Sequence, residues 1–136
     1  MTRYPLTWPA GWKRTASCNQ KRAQFSQDHQ RLTIMRGADR VLIELCRLGI
    51  DTSHDVIISS NLRVRKDGSI IGEQAKPADP GVAVYWKKPK DPHHKVMATD
   101  RYDRVEDNLA AIAATLETMR AIERHGGARI LERAFT

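Results

Sequence analysis

Near the end of the chain, apolar residues recur at steps of three and four, the spacing of one face of a helix. The members of this stripe are Val105, Leu109, Ile112, Leu116 and Met119. Alanines on both flanks keep the predicted helix slim, so it can lie close against a sheet. Asp103 and Glu106 form an Asp-x-x-Glu capping pattern, which predicts that the helix begins at Arg104.

Glycines mark the ends of both predicted helical regions. His125 followed by two glycines predicts the end of the long helix, and a short helix is predicted over residues 128–134. Earlier in the chain, Thr33 is a plausible N-cap for a first helix that ends at Gly49. Its apolar stripe consists of Ala38, Val41, Leu42, Leu45 and Leu48, with Ile50 placed to pack after the glycine.

The middle of the chain has the pattern of β-strands. Residues 56–60 are a compact β-branched run, and residues 62–66 alternate apolar and basic side chains before an Asp67-Gly68 turn signal. Residues 73–81 contain two prolines and a glycine, so they are predicted to be a connection. Residues 82–87 and 95–99 then predict a β-hairpin around a loop of turn residues. The predicted fold is an α+β two-layer sandwich, with a mainly antiparallel sheet of four to five strands.

The first 30 residues lack clear periodicity and are predicted to form an arm, while residues 31–136 form a single α+β domain. Trp8 and Trp12 lie in this arm between Pro5, Pro9 and Gly11. Two interpretations remain open. The aromatic residues pin the arm onto the core, or they stack on bases or anchor a partner beside the arm's basic residues.

The chain has 136 residues and a formal net charge of +7, which favours acidic partners such as nucleic acid or an acidic protein surface. Its two cysteines are far apart in the sequence, which indicates neither a zinc site nor a disulfide framework and fits the cytoplasm. No apolar run is long enough to span a bilayer, so no membrane partner is expected. The sequence does not determine the oligomeric state.

Basic residues are the main candidates for function. The predicted nucleic-acid-binding residues are Lys13, Arg14, Arg63, Arg65, Lys87, Lys88 and Lys90. They form a phosphate-binding surface only if the fold brings them to one face; otherwise they are ordinary solvated charge. Four aromatic residues are the alternative candidates, as hot spots of a protein interface: Trp8, Trp12, Tyr85 and Trp86.

Catalytic patterns are scarce. Asp100, Asp103 and Asp107 are weak candidates for a divalent metal site and hence for a nuclease, although capping and the helix dipole explain them as well. No nucleophile elbow, zinc ligand pattern or glycine-rich phosphate loop is present. The sequence therefore predicts a protein that is not an enzyme and that has no cofactor.

Several segments in combination resemble one bacterial family. They are WPAGWKRT at 8–15, VIISSNL at 56–62, DPGVAVY at 79–85, DRYDRVEDNL at 100–109, AIERHGG at 121–127 and RAF at 133–135. Together they are similar to the amino-terminal region of phage, plasmid and integrative-element proteins labelled J-domain or DnaJ-like. In longer relatives the J-domain follows this region, but no His-Pro-Asp triplet occurs here, and residues 91–93 have the reverse order. Co-chaperone activity is therefore not carried over.

The resemblance implies a mobile-element context and assigns no residue a role. The leading hypothesis is a non-enzymatic binding module that contacts nucleic acid through its basic hairpins and arm. The alternative is a protein-interaction module or inhibitor that acts on a host machine, of the chaperone-adaptor or anti-defence type. A metal-dependent nuclease is the third hypothesis.

Overall fold

The computed structural model describes residues 1–23, 26–27 and 30–135. After a short 3-10 turn at Ser17–Asn19, its elements in chain order are β1 (Ser26–Gln27), β2 (Gln30–Arg31), α1 (Ile34–Arg47), β3 (Val56–Ser60), β4 (Val82–Trp86), β5 (Lys95–Thr99), α2 (Val105–Arg124) and α3 (Gly127–Phe135). Strands β1 and β2 pair only with each other. The fold is α+β, as the sequence predicts.

Helix α1 has the predicted ends. The Thr33 hydroxyl accepts a hydrogen bond from the backbone N–H of Arg36, which confirms Thr33 as the N-cap. At the other end Gly49 has φ +85°, and the N–H of Ile50 donates to the carbonyl of Leu45. This is the Schellman arrangement, in which a left-handed glycine lets the following residue turn back onto the last helical turn. Ile50 is consequently buried.

The main sheet is antiparallel, with strand order β3-β4-β5. Val82, Val84 and Trp86 lie on one face of β4 and belong to the core that α1 and α2 cover. Ala83 and Tyr85 lie on the opposite face and are buried as well. Because both faces of β4 are covered, its sequence is continuously apolar and does not alternate.

The predicted number of four to five strands is not confirmed, because the main sheet has three strands among the described residues. The alternating segment 62–66 forms a tight hairpin turn instead, in which only Val64 and Ile70 form an isolated bridge. The side-chain amide of Gln74 accepts from the N–H of Arg63 at 2.7 Å and donates to its carbonyl at 3.1 Å. The Arg63 carbonyl also accepts from the Ile71 N–H at 3.2 Å, so the backbone groups of this segment are used within the turn.

Helix α2 follows the predicted apolar stripe but begins one residue later than predicted. Arg104 is at the N-cap position, and no side chain caps the helix there. The Asp103 capping prediction is therefore wrong. The backbone N–H of Asp103 donates to the carbonyl of Lys21, which holds Asp103 outside the helix. The Oδ1 atom of Asp103 is buried without a hydrogen-bond partner among the described residues.

A close helix–helix contact and a buried side-chain amide hold α2 in place. A Cβ atom on Gly37 of α1 would lie 3.1 Å from the Glu106 carbonyl oxygen and 3.1 Å from the Leu109 Cβ, so the glycine lets the two helices pack tightly. The fully buried Asn108 side chain accepts from the Tyr102 N–H at 3.0 Å and donates to the Pro80 carbonyl at 2.8 Å. Asn108 therefore ties the start of α2 to the segments that flank the sheet.

Residues 1–15 of the arm cross the face of the sheet opposite the helices. The N–H of Thr7 donates to the Ser59 hydroxyl at 2.7 Å, and the Tyr85 hydroxyl donates to the Thr7 carbonyl at 2.7 Å. On the side of β3, the N–H of Ser60 donates to the Arg3 carbonyl. The arm thus runs from the β3 side of the sheet towards β5. Burial of the Tyr85 side chain raises the pKa of its phenol.

Candidate nucleic-acid interface

The loop between β4 and β5 is a rigid, basic projection. The N–H of Asp91 donates to the Lys88 carbonyl at 3.1 Å, which closes a turn with Pro89 and Lys90 at its centre. Lys90 has φ +67° and is the one residue other than glycine with a positive φ in the described part of the chain. Proline followed by a residue with positive φ is the geometry of a type II turn, where glycine is the favoured second residue. A lysine therefore occupies a strained position at the exposed tip.

The base of this loop is also fixed. The N–H of Lys87 donates to the Asp55 carbonyl at 3.1 Å, and the N–H of His93 donates to the Asp91 carboxylate at 3.0 Å. Lys87 is half-buried, whereas Lys88 and Lys90 are exposed. The loop therefore presents two lysine side chains on an ordered backbone.

A second basic feature is the hairpin turn that follows β3. Arg63 and Arg65 are exposed, as predicted from the alternating pattern, and Arg65 donates to the Ile70 carbonyl across the turn at 3.3 Å. At the tip, Asp67 accepts from both the N–H and the hydroxyl of Ser69, and these hydrogen bonds lower the pKa of its carboxyl. A fixed carboxylate therefore sits beside the arginines and reduces the positive charge of this turn.

The arm contributes the third group, but Arg14 is already engaged. Its Nε donates to Asp100 Oδ2 at 2.8 Å, its terminal nitrogen pairs with Asp79 at 2.5 Å, and its guanidinium carbon lies 4.3 Å from the centroid of the Trp8 ring. Burial opposes the charged form, but the bonds to Asp79 and Asp100 outweigh it and raise the pKa of Arg14. Arg14 therefore joins the arm to the end of the β4–β5 pair where β4 begins and β5 finishes, while neighbouring Lys13 is exposed.

The seven predicted residues do not form one continuous surface. Arg14 binds Asp79, which precedes β4, and Asp100, which follows β5, whereas Lys87, Lys88 and Lys90 follow the other end of β4. The five residues of β4 separate the two groups by about 17 Å along the strand. Among these candidates the β4–β5 loop is the only group with two exposed lysines on one ordered turn.

Lysine and arginine have different roles in this structure. Within the described residues, the ion pairs are formed by arginines and one histidine, and no lysine takes part. Arg104 pairs with the fully buried Asp107 at 2.8 Å, and Arg47 with the buried Glu44 at 2.8 Å. The lysine charges are therefore left unneutralised by side-chain carboxylates, which suits contact with phosphate.

The four aromatic candidates are divided by burial. Tyr85 and Trp86 are only 7% and 3% exposed, so in this structure neither side chain forms part of the accessible surface that a partner would contact. The reason is that a strand covered on both faces has no outward side. Trp8 is half-buried against Arg14, and Trp12 remains 43% exposed.

The three aspartates do not act together. Asp100 Oδ2 accepts from Arg14 and from the Thr15 N–H at 2.9 Å, while Asp107 pairs with Arg104. In the part of the chain that the structure describes, no three side chains of the metal-binding kinds lie close enough to hold an ion. The metal-dependent nuclease is therefore not supported by these residues.

Comparison with protein-family models, with curated proteins and with solved structures gave no match. None of the described helices combines the length and the apolar character that crossing a membrane requires. The function of this chain is therefore inferred from its own geometry.

Proposed function

We propose that this protein is a non-enzymatic binding module of a mobile genetic element, and that it contacts nucleic acid in the cytoplasm through the β4–β5 loop. The observation that carries the proposal is Lys90, a lysine in the strained left-handed position of an exposed turn. A residue that costs stability at a loop tip without any packing role is typical of a functional position. The mobile-element context is supported by the resemblance of the sequence segments.

The charge distribution agrees with this proposal. The net charge is +7, and Lys88 and Lys90 project from a hydrogen-bonded turn without a carboxylate partner among the described residues. A turn closed by backbone hydrogen bonds loses less backbone entropy when it binds phosphate than a flexible segment would. Arg63 and Arg65 supply a second contact, whereas Arg14 serves chiefly to hold the arm.

The test is fluorescence anisotropy with labelled single-stranded and double-stranded DNA and RNA, across a series of salt concentrations. Lys88→Glu and Lys90→Glu should each weaken binding and reduce the slope of log K against log salt by about 0.9. Lys76→Glu, in the connection before β4, makes the same charge change and is the matched control. Equal effects of all three variants would show that only net charge matters and would overturn the assignment to the loop.

A second variant separates function from folding. Lys90→Gly removes the charge and also relieves the left-handed strain, so it should leave stability unchanged or raise it by up to about 1 kcal/mol. We expect nucleic-acid binding to fall in spite of the intact fold. Unchanged binding by Lys90→Gly would remove Lys90 from the interface.

The second candidate function is a protein-interaction module, such as an inhibitor or adaptor that acts on a host machine. Trp12 favours it, because an indole that is 43% exposed offers the type of side chain that dominates protein interfaces. If the protein shows no binding to DNA or RNA even at low salt, this function takes precedence.

A further inference from the structure

A groove of about 520 Å³ lies between the outer side of β5 and helix α2. Its walls come from four parts of the chain: Trp12 of the arm, Met97 of β5, Arg101 and Tyr102 after the strand, and Ala111 and Ile112 of α2. The small side chains of α2 leave the space open. Its lining is mainly apolar, and it is separate from the lysines of the β4–β5 loop.

One side of the groove is the edge of the sheet. Strand β5 is last in the strand order, and no described strand pairs with its outer side. An edge strand directs N–H and C=O groups outward, which makes it a template for another strand. Its five residues span about 17 Å, the length of a short extended peptide.

Trp12 is held in place before any partner arrives. The Trp8 indole N–H donates to the Trp12 carbonyl at 3.0 Å, and the Trp12 N–H donates to the Pro9 carbonyl at 3.3 Å. Gly11 between them has φ +82°, a conformation that glycine adopts readily. On the opposite wall, the Thr115 hydroxyl is satisfied by the Ala111 carbonyl at 2.8 Å. The backbone of Trp12 is therefore fixed beside the groove, and the Thr115 hydroxyl does not need a polar partner from an occupant.

The charges around the groove favour an acidic occupant. Arg101 is the one charged residue among those that line it, and the exposed Lys95 lies at the far end of β5. Among the described residues, no acidic side chain lines the groove. A second copy of the chain would bring a further net charge of +7, so charge disfavours self-association. Nucleic acid would find a single cation inside an apolar groove, which is a poor match for a phosphate backbone.

We propose that the β5 edge binds an extended segment of a partner protein whose groove-facing side is apolar in the middle and acidic at both ends. The segment adds to the sheet as a fourth strand, a recognised mode of peptide binding. Lys95 and Met97 lie on the same face of β5, so every second residue of the segment faces them: the apolar side chains lie against Met97 and Trp12, and the carboxylates lie near Arg101 and Lys95. This surface is independent of the nucleic-acid proposal, since it uses none of the loop lysines.

The probe is a fluorescein-labelled peptide of the sequence Glu-Thr-Val-Thr-Val-Thr-Glu, whose glutamates and valines share one side of an extended strand, followed by anisotropy and by amide chemical shifts of the isotope-labelled protein. We expect binding, with the largest shifts at residues 95–99 and at the Trp12 indole. A peptide with lysine in place of glutamate should bind at least about tenfold more weakly because of Arg101 and Lys95. A peptide N-methylated at alternate residues should also fail, because it cannot donate to the strand edge.

The protein variants are Arg101→Glu and Trp12→Ala, and Arg63→Glu is the control with the same charge change. The first two should each weaken peptide binding about tenfold, and Arg63→Glu should leave it unchanged. The melting temperature checks that each variant is folded. If Trp12→Ala unfolds, Arg101→Glu still decides the question, because its side chain is exposed and its described contact is with the Tyr102 ring.

Three outcomes would overturn the proposal. The first is the absence of peptide-induced shifts in β5, and the second is equal binding of the lysine peptide. The third is movement of the same β5 amides by DNA, by RNA or by a rise in protein concentration alone, which would assign the edge to nucleic acid or to self-association. Because the nucleic-acid test is read at Lys88 and Lys90, either proposal can fail without the other.

Discussion

Substitution of Asp100 tests whether the arm is held on the sheet by the contacts described above. Asp100 is 2% exposed, and its Oδ2 accepts from Arg14 Nε at 2.8 Å and from the Thr15 N–H at 2.9 Å. Asp100→Ala removes both bonds. We expect the arm to lose its attachment at the β5 end of the sheet and the domain to lose stability.

The size of the effect follows from the two bonds. A hydrogen bond from a backbone N–H to a buried carboxylate contributes about 2 kcal/mol. The Arg14 bond is worth less, because its side chain is 41% exposed and it keeps its pair with Asp79; such a pair contributes about 1 kcal/mol. The free energy of unfolding should therefore fall by about 3 kcal/mol, a large part of the stability of a small domain.

Urea unfolding measures this loss, and limited proteolysis of residues 1–23 reports release of the arm. Asp79→Ala is the control, because it removes the more exposed partner of Arg14 and leaves Asp100 in place; its cost should be about 1 kcal/mol. A change below about 0.5 kcal/mol for Asp100→Ala would refute the attachment. If a chelator destabilised the wild-type protein, the result would instead support the hypothesis that Asp100 is a metal ligand.

Three further predictions concern the packing and the titration of single residues. Gly37→Ala should lower the free energy of unfolding by about 1 kcal/mol, because the new methyl group would press on the Glu106 carbonyl oxygen and on Leu109 at a cost of about 2 kcal/mol, while alanine gains about 1 kcal/mol of helix propensity; urea unfolding would show it. Asn108→Ala should cost about 3 kcal/mol, since it leaves buried backbone groups unpaired, and a loss under half of that would contradict the role of this side chain. The hydrogen bond to Asp51 raises the pKa of His54 above its ordinary 6.5, so this pair stabilises the fold below that pH, and its contribution is lost as the pH rises through the higher folded value. Proton NMR should find that pKa lowered in Asp51→Asn; an unchanged His54 titration would rule out the pairing.

The arrangement of basic residues shows why the candidate site was only partly predictable. The exposure of Arg63 and Arg65 followed from alternation along one segment. Whether Arg63 and Arg65 lie beside Lys88 depends on the topology of the sheet. The spacing of these residues in the sequence does not predict that topology. The strain at Lys90 leaves no sequence signal except a lysine after proline in a loop, and the groove beside β5 joins residues that are 85 or more positions apart, such as Trp12 and Met97.

Local interactions determined what the sequence predicted correctly. Helix stripes, the Thr33 cap and the glycine after α1 depend on neighbours within a few positions, so the residues that determine them stand close together in the sequence. The number of strands, the start of α2 and the burial of Tyr85 and Trp86 were decided only in three dimensions. Each depends on groups from elsewhere in the chain: residues 70–74 pair with the segment around Arg63, the Lys21 carbonyl holds Asp103, the arm covers Tyr85, and the two helices cover Trp86. Such contacts arise only when the chain closes on itself, which is why tertiary structure decided them.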